Sequence, residues 1–273
     1  MPTSRSSRPS TELTRPSFLR PLILVAVLAV VVVVVAALPA SLVKHFLPPF
    51  IAAEDFSGSL WHGSAGRITV NSRDAGAIEW RLHPASLLSL TLSADLHWVK
   101  VGFVADASAD MDRHGINARD IQGGGPIDDI ADLGIASGWR GATSFKFSKL
   151  KVAFADRGGR ANILSAVGEL SVANLASPQV ANGADLGGYV LQLADGAITP
   201  DADASAELSD TGGPLEVKAT IHFSAKDHTG MLSGTVKERA DTPPALRSQL
   251  DNLAQLHARD AQGRLPVDLE FTL

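Results

Sequence analysis

Ser148-Lys-Leu-Lys151 matches the Ser-x-x-Lys spacing in which a lysine can take the proton of a nucleophilic serine. The companion motifs of that chemistry are missing, and the four residues lie inside a strand-like pattern, so they read as a strand with polar side chains facing outward. No Gly-x-Ser-x-Gly turn is present to lift a serine above a sheet. The eight histidines (45, 62, 83, 97, 114, 222, 228 and 257) are scattered, and no two have His-x-x-x-His spacing. Zinc needs three or four converging ligands, so these histidines do not predict a metal site. Asp201 with Asp203, and Asp106 with Asp110 and Asp112, resemble pieces of calcium loops. No twelve-residue ligand pattern ending in glutamate follows either group, so both read as solvated turns. Gly123-Gly-Gly125 precedes no lysine and reads as a turn, not a phosphate loop. The chain has no cysteine, which excludes a thiolate nucleophile, a thiolate metal site and a disulfide framework. The expectation is of no catalytic residue, no metal and no cofactor.

What is left for function is contact. All four tryptophans lie between positions 61 and 139. Trp80 falls in phase with apolar strand positions and reads as sheet core. Trp61 lies in the Gly58–Ala65 segment, and aromatic anchors often carry interface energy. Gly58, Leu60, Trp61 and Gly63 are therefore the candidate partner-contact residues.

The elements that must position these residues are mainly strands. Residues 214–223 alternate, with Leu215, Val217, Ala219, Ile221 and Phe223 opposed to Glu216, Lys218, Thr220 and His222. Leu265, Val267, Leu269, Phe271 and Leu273 alternate in the same way with Asp268, Glu270 and Thr272. Ile78, Trp80 and Leu82 alternate with Glu79 and Arg81. A period of two marks strands with one dry face and one wet face, which suits antiparallel pairing. Phe145 and Phe147 share one phase while Leu150, Val152 and Phe154 share the other, so a β-bulge is expected at Ser148–Lys149. Glycine pairs at 158–159, 187–188 and 212–213 read as turns. Three short helices are expected, over 84–90, 126–133 and 243–257. The last has Thr242 as its cap and Leu246, Leu250, Leu253 and Leu256 as its apolar stripe.

The mean hydropathy of +0.12 conceals one strongly apolar block. Leu22 to Leu38 contains only Leu, Ile, Val and Ala, and no charge appears from Pro21 to Val43. A bilayer core takes roughly 20 apolar residues as a helix, so residues 21–43 are predicted to span a membrane. Residues 1–20 hold four arginines against one glutamate, net +3. The rest holds 20 basic and 28 acidic residues, net −8. Positive flanks stay in the cytoplasm, which places residues 44–273 across the membrane, in the periplasm of a diderm cell. A cleaved signal peptide is the rival, although its best site, after Ala40, has Leu38 where a small residue is preferred. The acidic balance does not suit a nucleic-acid partner.

The segment Gly58-Ser-Leu-Trp61-His-Gly63-Ser-Ala65 resembles the Gly-x-Leu/Val-Trp-x-Gly-x-Ala opening of type II secretion system protein N. Ile78-Glu-Trp80-Arg-Leu82-x-Pro84-x-x-Leu87-Leu88 is similar to the strand and short helix that follow in that family. Gly187-Gly-Tyr189-x-Leu191-x-Leu193 and Gly212-Gly-Pro214-Leu215-x-Val217 resemble its middle segments. Leu250-x-x-Leu253-x-x-Leu256, then Asp260-x-x-Gly263-Arg264-x-x-Val267, resembles its ending. The N-terminal arm is longer than usual, and Leu265-Pro266 replaces the family's aromatic after Gly-Arg. The resemblance implies an accessory inner-membrane component of the machine that exports folded proteins through an outer-membrane secretin. It would act by contact with the inner-membrane platform or the secretin, not by catalysis, with membrane lipid met through residues 21–43. The family is also similar to AsmA-like proteins, whose long antiparallel sheets curl into a groove that can face lipid, so lipid handling in an apolar groove is the alternative. Residues and resemblance together predict a mainly β fold: a single N-terminal transmembrane helix, then a long curved antiparallel β-sheet domain with a few short helices.

Overall fold

The computed structural model describes residues 33–45, 47, 49–131, 138–154, 162–194, 204–224, 229–255 and 257–272. Two compact units divide the chain, Met1–Leu38 and Pro39–Leu273. The basic arm, 1–20, and most of the span predicted over 21–43 lie outside the described residues. Residues 33–36 are helical, and among the described residues no helix is long and apolar enough to cross a membrane. Pro39–Val43 belong to the second unit. Pro39 makes an antiparallel bridge with Ser59, and Ala40–His45 form a 3-10 turn whose Ala40 is buried against Ala65 and Trp80. The second unit thus starts five residues before position 44, the boundary drawn from the charge pattern, because a small apolar side chain at 40 fits the sheet.

Among the described residues, thirteen strands pair in chain order, each antiparallel to the next. They are β1 Ile51–Gly58, β2 His62–Val70, β3 Arg73–His83, β4 Leu92–Lys100, β5 Phe103–Met111, β6 Gly115–Pro126 and β7 Arg140–Ala153. The remainder are β8 Asn162–Ala176, β9 Gly188–Leu193, β10 Ala204–Gly212, β11 Leu215–Ser224, β12 Thr229–Glu238 and β13 Leu265–Thr272. The mainly β, antiparallel expectation holds.

Register aligns the alternation of every strand. One row of direct partners runs Phe56, Ala65, Ile78, Trp98, Ala105, Gly123, Phe145, Leu170, Leu191, Leu208, Ala219, Gly234, Val267. The row one residue along runs Ser57, Ser64, Glu79, His97, Asp106, Gln122, Lys146, Glu169, Gln192, Glu207, Thr220, Ser233, Asp268. Successive residues of a strand point to opposite faces. The first row is wholly apolar or glycine and the second wholly polar, so the sheet has one dry face and one wet face across all its strands.

The bulge expected at Ser148 is present, as a register shift between Phe147 and Lys149. Gly123–Gly125 is not a turn but lies inside β6. The rings of Phe103 and Phe145 stack with centroids 6.1 Å apart over this stretch. A Cβ on Gly123 would stand 2.7 Å from Phe145 Cζ and 2.8 Å from Ala105 Cβ, so glycine there makes room for an aromatic neighbour. Gly212 and Gly213 do form the β10–β11 turn, both with left-handed backbone. Gly158–Gly159 falls outside the described residues.

The helices are shorter than expected. Pro84–Ser89 is a 3-10 turn, and α1 is a single turn at Asp128–Ala131. α2 covers Pro244–Ala254 and buries Leu246 and Leu250, while Leu253 is exposed and Leu256 lies outside the described residues. Thr242 does not cap α2; Pro243 holds the cap position with no side-chain bond. The Thr242 hydroxyl instead donates to Pro214 O (2.6 Å), which ties the approach to α2 to the β10–β11 turn.

Candidate functional site

The apolar face is covered at its two ends, and among the described residues a cavity lies between them. At the β1–β3 end, the 3-10 turn at Ala40–His45 lies on a cluster of Ala65, Trp80, Phe56, Ile78 and Leu82. At the β9–β13 end, Leu246 and Leu250 of α2, with Ala181 and Leu186, cover Leu215, Val217 and Leu265. Between these clusters, β3–β8 line a cavity of about 410 Å³. Its walls are Ile78, Leu96, Trp98, Phe103, Ala105, Ala107, Ile121, Phe145 and Leu170, with Ile130 of α1 at its border. Asp106 and Thr143 are the polar residues of the lining. Ring centroids run Trp98–Phe103 at 5.2 Å, Phe103–Phe145 at 6.1 Å and Phe145–Phe147 at 6.2 Å, which makes the floor aromatic. Period-two patterning marks these residues as dry-side. It carries no sign that a cavity opens over β3–β8.

The predicted contact residues form the β1–β2 hairpin. Gly58 pairs with Gly63 across its base, and Ser59 N donates to His62 O (2.9 Å). Trp80 Nε1 donates to Leu60 O (2.9 Å), and Leu82 N donates to Trp61 O (2.7 Å). Gly63 is buried, Leu60 and Trp61 are half-buried, and Gly58 is exposed. The hairpin is therefore keyed to β3 and to Pro39, with Leu60 and Trp61 as its outward portion.

The polar face carries the residues whose spacing suggested chemistry, and it disperses them. Ser148 sits at the β7 bulge and its hydroxyl donates to Val167 O (3.4 Å). Asp106 lies 2.6 Å from His97 Nδ1, and Asp110 accepts from Ser93 and Arg119, both at 2.6 Å. Asp112 accepts from the amides of His114 and Gly115 in the β5–β6 turn. These acids are thus engaged by their own sheet. Asp201 and Asp203 lie outside the described residues. Among the described residues no group of three or more His, Asp or Glu is placed to hold a metal. A second cavity, about 930 Å³, opens on this face and is lined by Asp106, Gln122, Lys146, Glu169, Gln192 and Glu207.

One charged pair holds the cover over the β9–β13 core. Asp210 is half-buried, its side chain 8% exposed; it accepts from Arg239 (2.6 Å) and from the amides of Val217 (3.0 Å) and Gly212 (3.2 Å). Arg239 also donates to Gly213 O and Leu215 O, so this one side chain joins the chain leading into α2 to the turn before β11. Burial pushes the Asp210 carboxyl up, but the Val217 amide, the Arg239 guanidinium and the Gly212 amide outweigh it and hold it below the usual carboxylate range. A carboxyl depressed in the folded state adds stability above its unfolded value, near 4, and loses it as pH falls through the folded value. The thermal midpoint is therefore expected to fall on acidification below about pH 4. Asp210→Asn should flatten that fall, as read by circular dichroism melts across pH; an unchanged acid slope would remove Asp210 from this role.

The model of the family described as type II secretion system (T2SS), protein N matches residues 49–268, and the chain belongs to that family. The match covers β1 through the first half of β13. Nothing among the curated proteins or the solved structures matches the chain.

Proposed function

We propose that this type II secretion component is an accessory protein of the inner membrane, tethered within residues 21–38, since Pro39–Val43 belong to the sheet unit. Its sheet would stand in the periplasm and aid export of folded proteins by contact with other secretion components, without catalysis. The observation that carries this reading is the family match along nearly the whole sheet unit. The apolar run of 22–38 and the +3/−8 charge split support the tether and its orientation.

The sheet offers two kinds of contact surface. Its edges, β1 and β13, pair on one side only among the described residues. Yet β13 carries Pro266, Asp268 and Glu270, and β1 is interrupted at Asp55, where the backbone is left-handed. Proline, charge and bulges are the devices that discourage strand addition. The apolar cavity over β3–β8 is the stronger surface, because among the described residues it opens between the two covered ends, with Trp98 and Phe145 half-buried in its wall. A second reading follows from the same stretch: the unbroken apolar row suits an acyl chain, which makes the protein a lipid-handling relative of AsmA-like proteins.

One experiment separates these readings. The gene is deleted, extracellular and periplasmic levels of a secreted enzyme are measured, and the full-length protein is crosslinked in membranes. Retention of the enzyme in the periplasm and a crosslink to a secretion component are expected. Unchanged secretion with no such crosslink sinks the first reading, and phospholipid co-purifying with the protein by mass spectrometry would favour the second.

A further inference from the structure

The end of the sheet that carries Pro39 also presents the two most exposed large apolar residues among those described. Leu88 is 93% exposed and Leu90 is 89% exposed, and both follow β3 in the turn that begins at Pro84. Pro39 bridges Ser59 in the β1–β2 hairpin, and that hairpin is bonded to the end of β3 through Trp61 O and Leu82 N. Neighbouring strands lie about 4.8 Å apart, so the Pro84–Leu90 turn stands on the order of 10 Å from the hairpin.

The leucines are not exposed because the turn is loose. Ser86 Oγ donates to His83 O (2.6 Å) and accepts from Ser93 N (3.0 Å), and Ser89 Oγ donates to Ser86 O (2.7 Å). Leu90 is held left-handed at φ 57°, with its N–H donating to Leu87 O. A non-glycine residue in that region costs strain, and the turn's hydrogen bonds hold it there with its apolar side chain exposed.

What would cover it is indicated by the chain that ends there. Leu22–Leu38 is wholly Leu, Ile, Val and Ala, and Pro39 follows without a linker. One residue reaches at most about 3.6 Å, so the apolar run stops beside these strand ends. We infer that the Pro84–Leu90 turn is a membrane foot: Leu88 and Leu90 enter the lipid interface while Trp61, in the adjacent hairpin, lies at headgroup level. Apolar side chains of interfacial elements enter roughly 5–10 Å, and tryptophan is enriched at that depth. Two contact points, the tether and the foot, would fix the sheet's orientation to the bilayer. This inference rests on the membrane-tether reading above.

The chain has no cysteine, so single-cysteine variants can be labelled at one place. Leu88→Cys, Leu90→Cys, Val30→Cys and Val101→Cys of the full chain would each carry an environment-sensitive fluorophore. They are reconstituted in vesicles of phosphatidylethanolamine and phosphatidylglycerol that contain a spin-labelled lipid quencher. Val101 is 84% exposed but lies in the β4–β5 turn at the opposite strand ends, so it controls for exposed apolar character alone. Quenching at 88 and 90 is expected to exceed that at 101 by about threefold or more, as interfacial depth requires. Quenching at 88 and 90 no greater than at 101, with Val30 quenched, overturns the foot and leaves the tether standing. A Val30 label that is not quenched overturns the tether, and the foot with it.

Discussion

Leu265→Ala is expected to destabilise the sheet unit by about 3 kcal/mol, within the range for truncating a buried leucine. Leu265 is 1% exposed and lies among Leu215, Val217, Leu246 and Leu250, where strand and helix meet. Truncation removes its transfer free energy and leaves a void walled by three elements, which cannot collapse without moving α2. For a unit of this size, the midpoint should drop by roughly 6–12 °C in a calorimetric scan. Leu269 lies on the same strand in the same phase but is 57% exposed, so Leu269→Ala should cost under about 1 kcal/mol. The contrast is the test. Equal effects at the two positions would show that α2 does not rest on β13.

Gly63→Ala is expected to destabilise although it adds only one methyl group to a dry place. Burying a methyl gains about 0.8 kcal/mol. Against that, a Cβ at 63 would stand 2.6 Å from Ser59 O, 2.7 Å from Trp80 Cζ2 and 2.9 Å from Ala40 Cβ. Two of these neighbours are fixed, one as backbone and one as a packed ring, so the overlap outweighs the gain by about 1–3 kcal/mol. The neighbour that can yield is the Ala40–His45 turn. A lower midpoint should therefore come with changed tryptophan fluorescence as Trp80 loses its packing. Gly66→Ala is the control: its Cβ would approach no nearer than 3.2 Å, to the Asp55 side chain. If both variants melt alike, the tight fit around Gly63 is not what limits the site.

Much of the fold was legible because strand alternation is local. Residues 214–223, 265–273 and 78–82 show their two faces in spacing alone, and the phase break at Ser148 marks the bulge. The errors came where a distant partner decides. Gly123–Gly125 carries a turn composition, yet Phe145 and Ala105 approach it closely enough to need glycine inside a strand. Thr242 has the chemistry of a helix cap, but Pro214 O, far away in sequence, claims its hydroxyl. The candidate contact residues stand in a motif, while the aromatic cavity wall of Trp98, Phe103 and Phe145 does not, because no spacing says which dry side chains line a cavity.

The sequence by itself determined that the strands have a dry and a wet side, that thiolate chemistry is excluded, and that one apolar block stands apart from the rest. Each follows from residue type and short-range period, which act within a few positions of the chain. The tertiary structure alone decided the alignment of thirteen dry positions into one row, the seating of the Ala40 turn and α2 over its two ends, and the aromatic-walled cavity between them. Register and cover depend on contacts between residues far apart in the chain. Their free energy is shared across partners that no local pattern names.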